Sequence, residues 1–173
     1  MTKYLLDANI FIESHNLHYH PCFCQGFWEW IVQGHNKGIF FSLDKVEDEL
    51  VRPPSANDEL SDSLRTGLFP NTFFIQSLSD TQTARAYGRL MQWVSNHRLY
   101  NLAAIKEFQL HTAADAFLVA AAMAHGYIIV TQEVSGNSPK RVKIPDAARE
   151  NGVRCITIQQ LLRMHAEDNF KLK

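Results

Sequence analysis

At 173 residues, with 46% apolar and 20% charged side chains, the composition is that of one ordinary folded domain, residues 1–173, and excludes disorder over most of the length. The net charge of −1, from 17 Lys and Arg against 18 Asp and Glu, lacks the basic excess that often marks a nucleic-acid binder. Acidic groups gathered in a metal site would mask a basic rim, so the charge balance excludes neither.

Taken in chain order, Tyr4-Leu5-Leu6 reads as a short buried strand ending at Asp7, followed by a helical pattern through Ile10, Phe11 and Ile12. Asp7 and Asn9 interrupt this apolar start and no small-residue cleavage site follows, so it does not read as a signal peptide. Gly26–His35 suits a helix stopped near Gly34 or Gly38, and 38–43 a second strand. In 44–51, Val46 and Leu50 share one helix face, closed by Pro53-Pro54. The polar stretch 57–71 reads as short helix or loop, and 72–76 as a third strand.

Asp80–His97 predicts a long helix capped by Asp80 or Thr81. Thr112–His125 is the strongest helix in the chain, apolar nearly all round and therefore buried, and ended by Gly126. Tyr127–Val130 predicts an interior strand, 134–143 a loop, 145–151 a helix with Pro in its first turn and Gly152 as its stop, 153–158 a last strand, and 159–165 a terminal helix. The longest apolar run, 116–124, falls far short of the roughly 20 residues that span a membrane. A soluble, cytoplasmic protein is expected.

Strands alternating with helices imply an α/β sandwich around a parallel sheet, in which ligands bind beyond the carboxyl ends of the strands. Asp7 and Glu133 stand at two such ends. Asp7 could equally be a helix cap. Asp115 interrupts an apolar helix, where an ionised carboxylate is costly unless paired, bound to metal or placed at the helix dipole. Glu47, Asp48 and Glu49 form an acidic triplet of which at least two read as a solvated helix face; Glu49, beside the face that Val46 and Leu50 turn inward, could project from its edge. No Arg or Lys is close in sequence to Asp7, Asp115 or Glu133, whereas a divalent cation would relieve their repulsion; an all-oxygen site suits Mg²⁺ or Mn²⁺.

The succession LLDANIFIE, KVEDEL, TAADAFLVAAAMAHG and YIIVTQE, with VRCITI near the C-terminus, resembles the PIN-domain ribonucleases, including the VapC-like toxins of bacterial toxin–antitoxin pairs. The resemblance implies a three-layer α/β/α sandwich with a mainly parallel sheet, and catalytic, metal-binding roles for Asp7, Glu49, Asp115 and Glu133. It also implies support of the metal site by Asn9 and Thr131, Mg²⁺ or Mn²⁺ as cofactor, and endonucleolytic hydrolysis of single-stranded RNA. An antitoxin partner and a homodimer follow from the same likeness. The fourth acid of the family is usually Asp where Glu133 stands here, and the stretches 15–35 and 135–144 are long, which is closer to a related PIN-like subgroup than to a typical VapC. The competing expectations are a PIN-like domain that only binds RNA or protein, and a DNA nuclease or phosphatase using the same acids.

Three further features remain. Lys140, Arg141 and Lys143 form a basic loop suited either to RNA phosphate or to solvent. Trp28, Trp30 and Trp93 have helical spacing that favours packing over base stacking, and His111 stands just before the Asp115 helix. His15, His18, His20, Cys22 and Cys24 suggest zinc, but no second Cys or His pair stands at matching distance, so the segment reads as a loop with partly buried thiols. With Cys155 the cysteines number three, which argues against a disulfide framework and for a reducing compartment.

Overall fold

The computed structural model describes residues 1–52 and 59–173. The Pro53-Pro54 helix stop and the start of the 57–71 segment lie outside these residues. Five parallel strands form the sheet: β1 (Tyr4–Leu6), β2 (Phe40–Leu43), β3 (Phe74–Ile75), β4 (Ile128–Val130) and β5 (Cys155–Ile156), in the order β3-β2-β1-β4-β5. Helices cover both faces, giving the three-layer α/β/α sandwich. From β1 the chain moves one way to β2 and β3, then returns to the other side of β1 for β4 and β5. The direction reverses between β1 and β4, and in a doubly wound sheet that switch point opens a crevice beyond the carboxyl ends of the strands.

The helices are α1 (Ala8–Glu13), α2 (Gln25–Asn36), α3 (Asp44–Val51), α4 (Glu59–Arg65), α5 (Thr81–Ser95), α6 (Leu102–Phe108), α7 (Ala114–His125), α8 (Ile144–Glu150) and α9 (Ile158–His165). In one layer α7 lies against β2 and β4 and packs on α3, α5 and α8. In the other, α2 and α9 cover Tyr4 and Phe40, register partners on β1 and β2. The Trp30 ring meets Phe40, and His165 meets both Tyr4 and Phe40. None of the helices is long and apolar enough to cross a membrane among the described residues.

The interior strands follow their apolar runs closely. The edge strands do not: β3 keeps two residues of the expected 72–76, and β5 two of 153–158. Each pairs on one side only, so fewer ladder bonds hold its ends. α6 was not expected from the sequence; Asn101 caps it by accepting from the Ala104 N–H, and Ala104 and Phe108 are its buried anchors. α7 starts at Ala114, two residues later than expected, and stops at Gly126, whose left-handed φ of 69° a side chain would strain. Trp28 and Trp30 are core residues, while Trp93, half-buried, donates to Glu150.

α2 runs through Gly34 and stops before Gly38. At Gly34 the absent side chain matters: a Cβ there would run into the ring of Phe40. Gly34→Ala is therefore expected to cost about 1–3 kcal/mol, lowering Tm by about 3–10 °C in a calorimetric scan. The penalty should shrink in a Phe40→Leu background; an equal penalty in both backgrounds would contradict this contact.

Candidate active site

Asp7 leaves β1 and Thr131 leaves β4, its immediate parallel neighbour, so both stand at the switch point. The Asp7 side chain, in a residue 4% exposed, accepts from the Ala8 N–H at 2.7 Å and from the Thr131 hydroxyl at 2.8 Å. It does occupy the N-cap position of α1, but it meets the first helical N–H instead of the second or third. Thr131 Oγ1 also accepts from Asn9 Nδ2 at 3.2 Å and from the Glu133 N–H at 3.1 Å, and Asn9 Oδ1 accepts from the Gln132 N–H at 3.1 Å. Asn9 and Thr131 thus fasten the loop after β4 to the helix after β1 and orient the Asp7 carboxylate.

The other acids arrive from the layer containing α3 and α7. Glu49 projects from α3 beside buried Val46 and Leu50, and its Oε1 accepts from the Ala114 N–H at 2.9 Å, satisfying one open donor at the start of α7. Asp115 lies in the first turn of α7, its side chain 23% exposed. Glu133 accepts from the Ile144 N–H at 2.8 Å. Glu49, Asp115, Arg141 and Glu107 of α6 share a cleft of about 160 Å³. Glu107 was not foreseen, because α6 itself was not; the Asn101 cap ahead of Ala104 and Phe108 was the available signal.

Arg141 changes the electrostatic expectation. The sequence suggests no cation close to Asp7, Asp115 or Glu133, yet the loop after β4 brings the Arg141 guanidinium to 3.0 Å from Glu133 and 3.8 Å from Asp115. Its side chain stays 54% exposed. Of the remaining basic loop, Lys143 Nζ donates to the Val134 carbonyl and Lys140 is exposed. His111 is exposed ahead of α7.

Arg141, with Arg52 acting on Glu49, does not balance four carboxylates. Burial, reinforced by the charges of Glu133 and Glu49 against the lowering bonds from Thr131 and Ala8, pushes the Asp7 carboxyl up to about 7. Burial and the charges of Asp7, Glu133 and Glu49 push Asp115 well above the carboxylate range, with Arg141 opposing. Burial also raises Glu49, against the bond from Ala114. The negative field reaches β5, where burial first, then Asp7 and Glu133, push the Cys155 thiol up to about 12.

Oxygen donors of this kind and this deficit of positive charge fit a hard divalent cation. The acids are nonetheless held apart. Among the described residues no three of them bring oxygens within 4.8 Å of one another, so holding one ion by three carboxylates requires the side chains to close in.

Residues 4–169 match the family described as Domain of unknown function (DUF4411), and the chain belongs to that family. No curated protein matches it.

The raised Asp7 carboxyl fixes the sign of one pH effect. Between the ordinary value near 4 and about 7, native Asp7 holds a proton that the unfolded chain has released, so metal-free protein loses stability as pH rises through that window. With EDTA present, Asp7→Asn should gain on the wild type by up to about 3 kcal/mol between pH 5 and pH 8, read from denaturant midpoints. A gap that stays constant would contradict the buried charge.

Proposed function

We propose that this member of the DUF4411 family is a metal-dependent endoribonuclease that hydrolyses phosphodiester bonds in single-stranded RNA, with Asp7, Glu49, Asp115 and Glu133 as its acidic set. The observation that carries the proposal is the convergence of these four carboxylates at the switch point of a parallel sheet, with the carboxyls of Asp7 and Asp115 both raised. Perturbed acids in a crevice at this position are a mark of function more often than of stability. The resemblance of LLDANIFIE, TAADAFLVAAAMAHG and YIIVTQE to the PIN-domain ribonucleases supports the substrate class, a toxin–antitoxin role and a possible homodimer.

Asp7 and Asp115 would be the central ligands of Mg²⁺ or Mn²⁺, with Glu49 and Glu133 completing the set. When bound, such an ion supplies a water of lowered pKa and positive charge for the phosphate and the leaving oxygen. The protein's own part is positioning. Thr131 and the Ala8 N–H fix Asp7, the Ala114 N–H fixes Glu49, and the Ile144 N–H fixes Glu133. Arg141, half-exposed and held by side-chain ion pairs alone, is the group free to turn from the carboxylates to a substrate phosphate. Lys140 lies beside it on the same loop.

The Arg141 ion pairs also favour a second reading, in which the arginine permanently neutralises the acids and the domain only binds RNA or a protein partner. Binding of Mn²⁺ separates the two. On the first reading, Asp115→Asn lowers Mn²⁺-dependent cleavage of a single-stranded RNA by at least about 100-fold, and Thr131→Val lowers it by roughly 10–100-fold. Cleavage that survives Asp115→Asn unchanged would sink the nuclease proposal, and absence of Mn²⁺ binding in calorimetry would leave the binding-only domain. Parallel assays on single-stranded DNA and on a phosphomonoester test the DNA nuclease and phosphatase alternatives.

A further inference from the structure

A different set of donors meets on the far side of α1. Residues 14–18 continue α1 as one wider helical turn, and the chain then loops through Tyr19–Cys24 into α2. This places His15 and His20 next to each other, ring centroids 4.6 Å apart, and sets both against Glu59 at the start of α4. Each of the three offers a ligand atom, and these atoms all lie within 4.8 Å of one another. Among the described residues no other His, Cys, Asp and Glu side chains meet that condition.

We propose that His15, His20 and Glu59 form a second metal site, selective for zinc or a similar nitrogen-binding divalent cation. Two imidazoles and a carboxylate are the donor set of three-ligand zinc sites, with the fourth position left to water. The site opens into a cleft of about 380 Å³, so that position has solvent access. The His20 Nε2 to Glu59 Oε2 distance is 3.0 Å. Two ligands on one tetrahedral zinc, at roughly 2.0–2.2 Å each, stand about 3.3 Å apart, so an ion can enter between them with little movement.

The outer contacts orient both rings. His15 is 5% exposed, and its Nδ1 donates to Asn16 Oδ1 at 3.1 Å. That bond sets the tautomer, leaving the Nε2 lone pair for a metal. His20 Nδ1 has Cys22 Sγ at 2.8 Å and the Cys22 N–H at 3.2 Å. The N–H serves the tautomer protonated at Nε2, which pairs with Glu59. The sulfur can accept the proton at Nδ1 once Nε2 takes a metal. Cys22 therefore orients His20 from the ring edge opposite Glu59 and is not itself a ligand.

An ion here would tie the 14–24 excursion to α4, two segments far apart in sequence. EDTA-stripped full-length protein, titrated with Zn²⁺ in a calorimeter, should bind one equivalent at this site. Glu59 is exposed, so Glu59→Gln tests the ligand set without disturbing the core; it and His20→Ala should each weaken binding at least 10-fold. Zinc at about 100 times its Kd should raise Tm by about 5–10 °C in the wild type and much less in Glu59→Gln. Asp115→Asn should leave this binding intact, which keeps the result separate from any metal at the four acids.

Co²⁺ in place of zinc should give tetrahedral visible bands without a thiolate charge-transfer band. A thiolate band would move the metal to the cysteines and overturn the proposed ligands. So would binding that is abolished by Asp115→Asn or unchanged by Glu59→Gln.

Discussion

The structure turns on a carboxylate buried at the end of the central strand. Asp7 sits where β1 gives way to α1, nearly sealed from water, with other acids facing it from α7 and from the loop after β4. Desolvation and like charge both act against ionisation, and hydrogen bonds only partly offset them. The surrounding bonds answer part of this cost: the Thr131 hydroxyl gives its proton to Asp7 and accepts from both Asn9 and the Glu133 backbone. With Asn9, this side chain joins the ends of β1 and β4. An apolar residue at this place would avoid that cost, so a buried acid here supports the functional reading proposed for the crevice.

The loop after β4 brings Arg141 to this charge, and its anchoring explains how. Buried Asp146 accepts from the Ser135 hydroxyl and from the Gly136 N–H at 3.2 Å, and Arg149 pairs with it at 3.3 Å. Burial alone would raise the Asp146 carboxyl, but these bonds outweigh it and hold it below the ordinary range. Lys143 closes the loop by donating to Val134. With both ends tied to the start of α8, Arg141 is delivered over Glu133 and Asp115. The loop brings Arg141 and Val142 to the cleft lined by Glu49 and Asp115, and a partly exposed ion pair there is weak enough to exchange for another partner.

Much of this was legible in the sequence where the signal is local. Apolar runs located β1, β2 and β4, the uninterrupted apolar stretch before Gly126 located α7, and the likeness of KVEDEL to the PIN-domain pattern, not helix geometry, put Glu49 ahead of its acidic neighbours. The edge strands came out shorter than their apolar runs because pairing on one side does not hold a strand's ends. α6 escaped notice because it is short and its anchors are separated by charged residues. Contacts between remote segments were the least legible. Arg141 looks like part of a basic loop until its place at the cleft is seen, and Glu59 has no sequence signal that links it to His15 and His20. No second Cys or His pair stands at matching distance in the sequence, and the third donor of the proposed site is a carboxylate from α4.

The two proposed sites differ in ligand type. The switch-point acids offer oxygen only, and they are spread apart, which suits a small hard cation that keeps several of its waters. The His15–His20–Glu59 set offers two imidazole nitrogens already close together, which favour zinc over magnesium by ligand type alone. Their surroundings differ as well. The crevice acids carry an uncompensated negative field that extends to Cys155, whereas His20 and Glu59 already form a matched pair. A divalent ion entering the crevice relieves repulsion, so its affinity depends on charge. An ion entering the histidine site replaces an existing contact, so its affinity depends on the strength of the metal–nitrogen bonds. Charge therefore governs one site and ligand type the other, which disfavours magnesium at the histidine site.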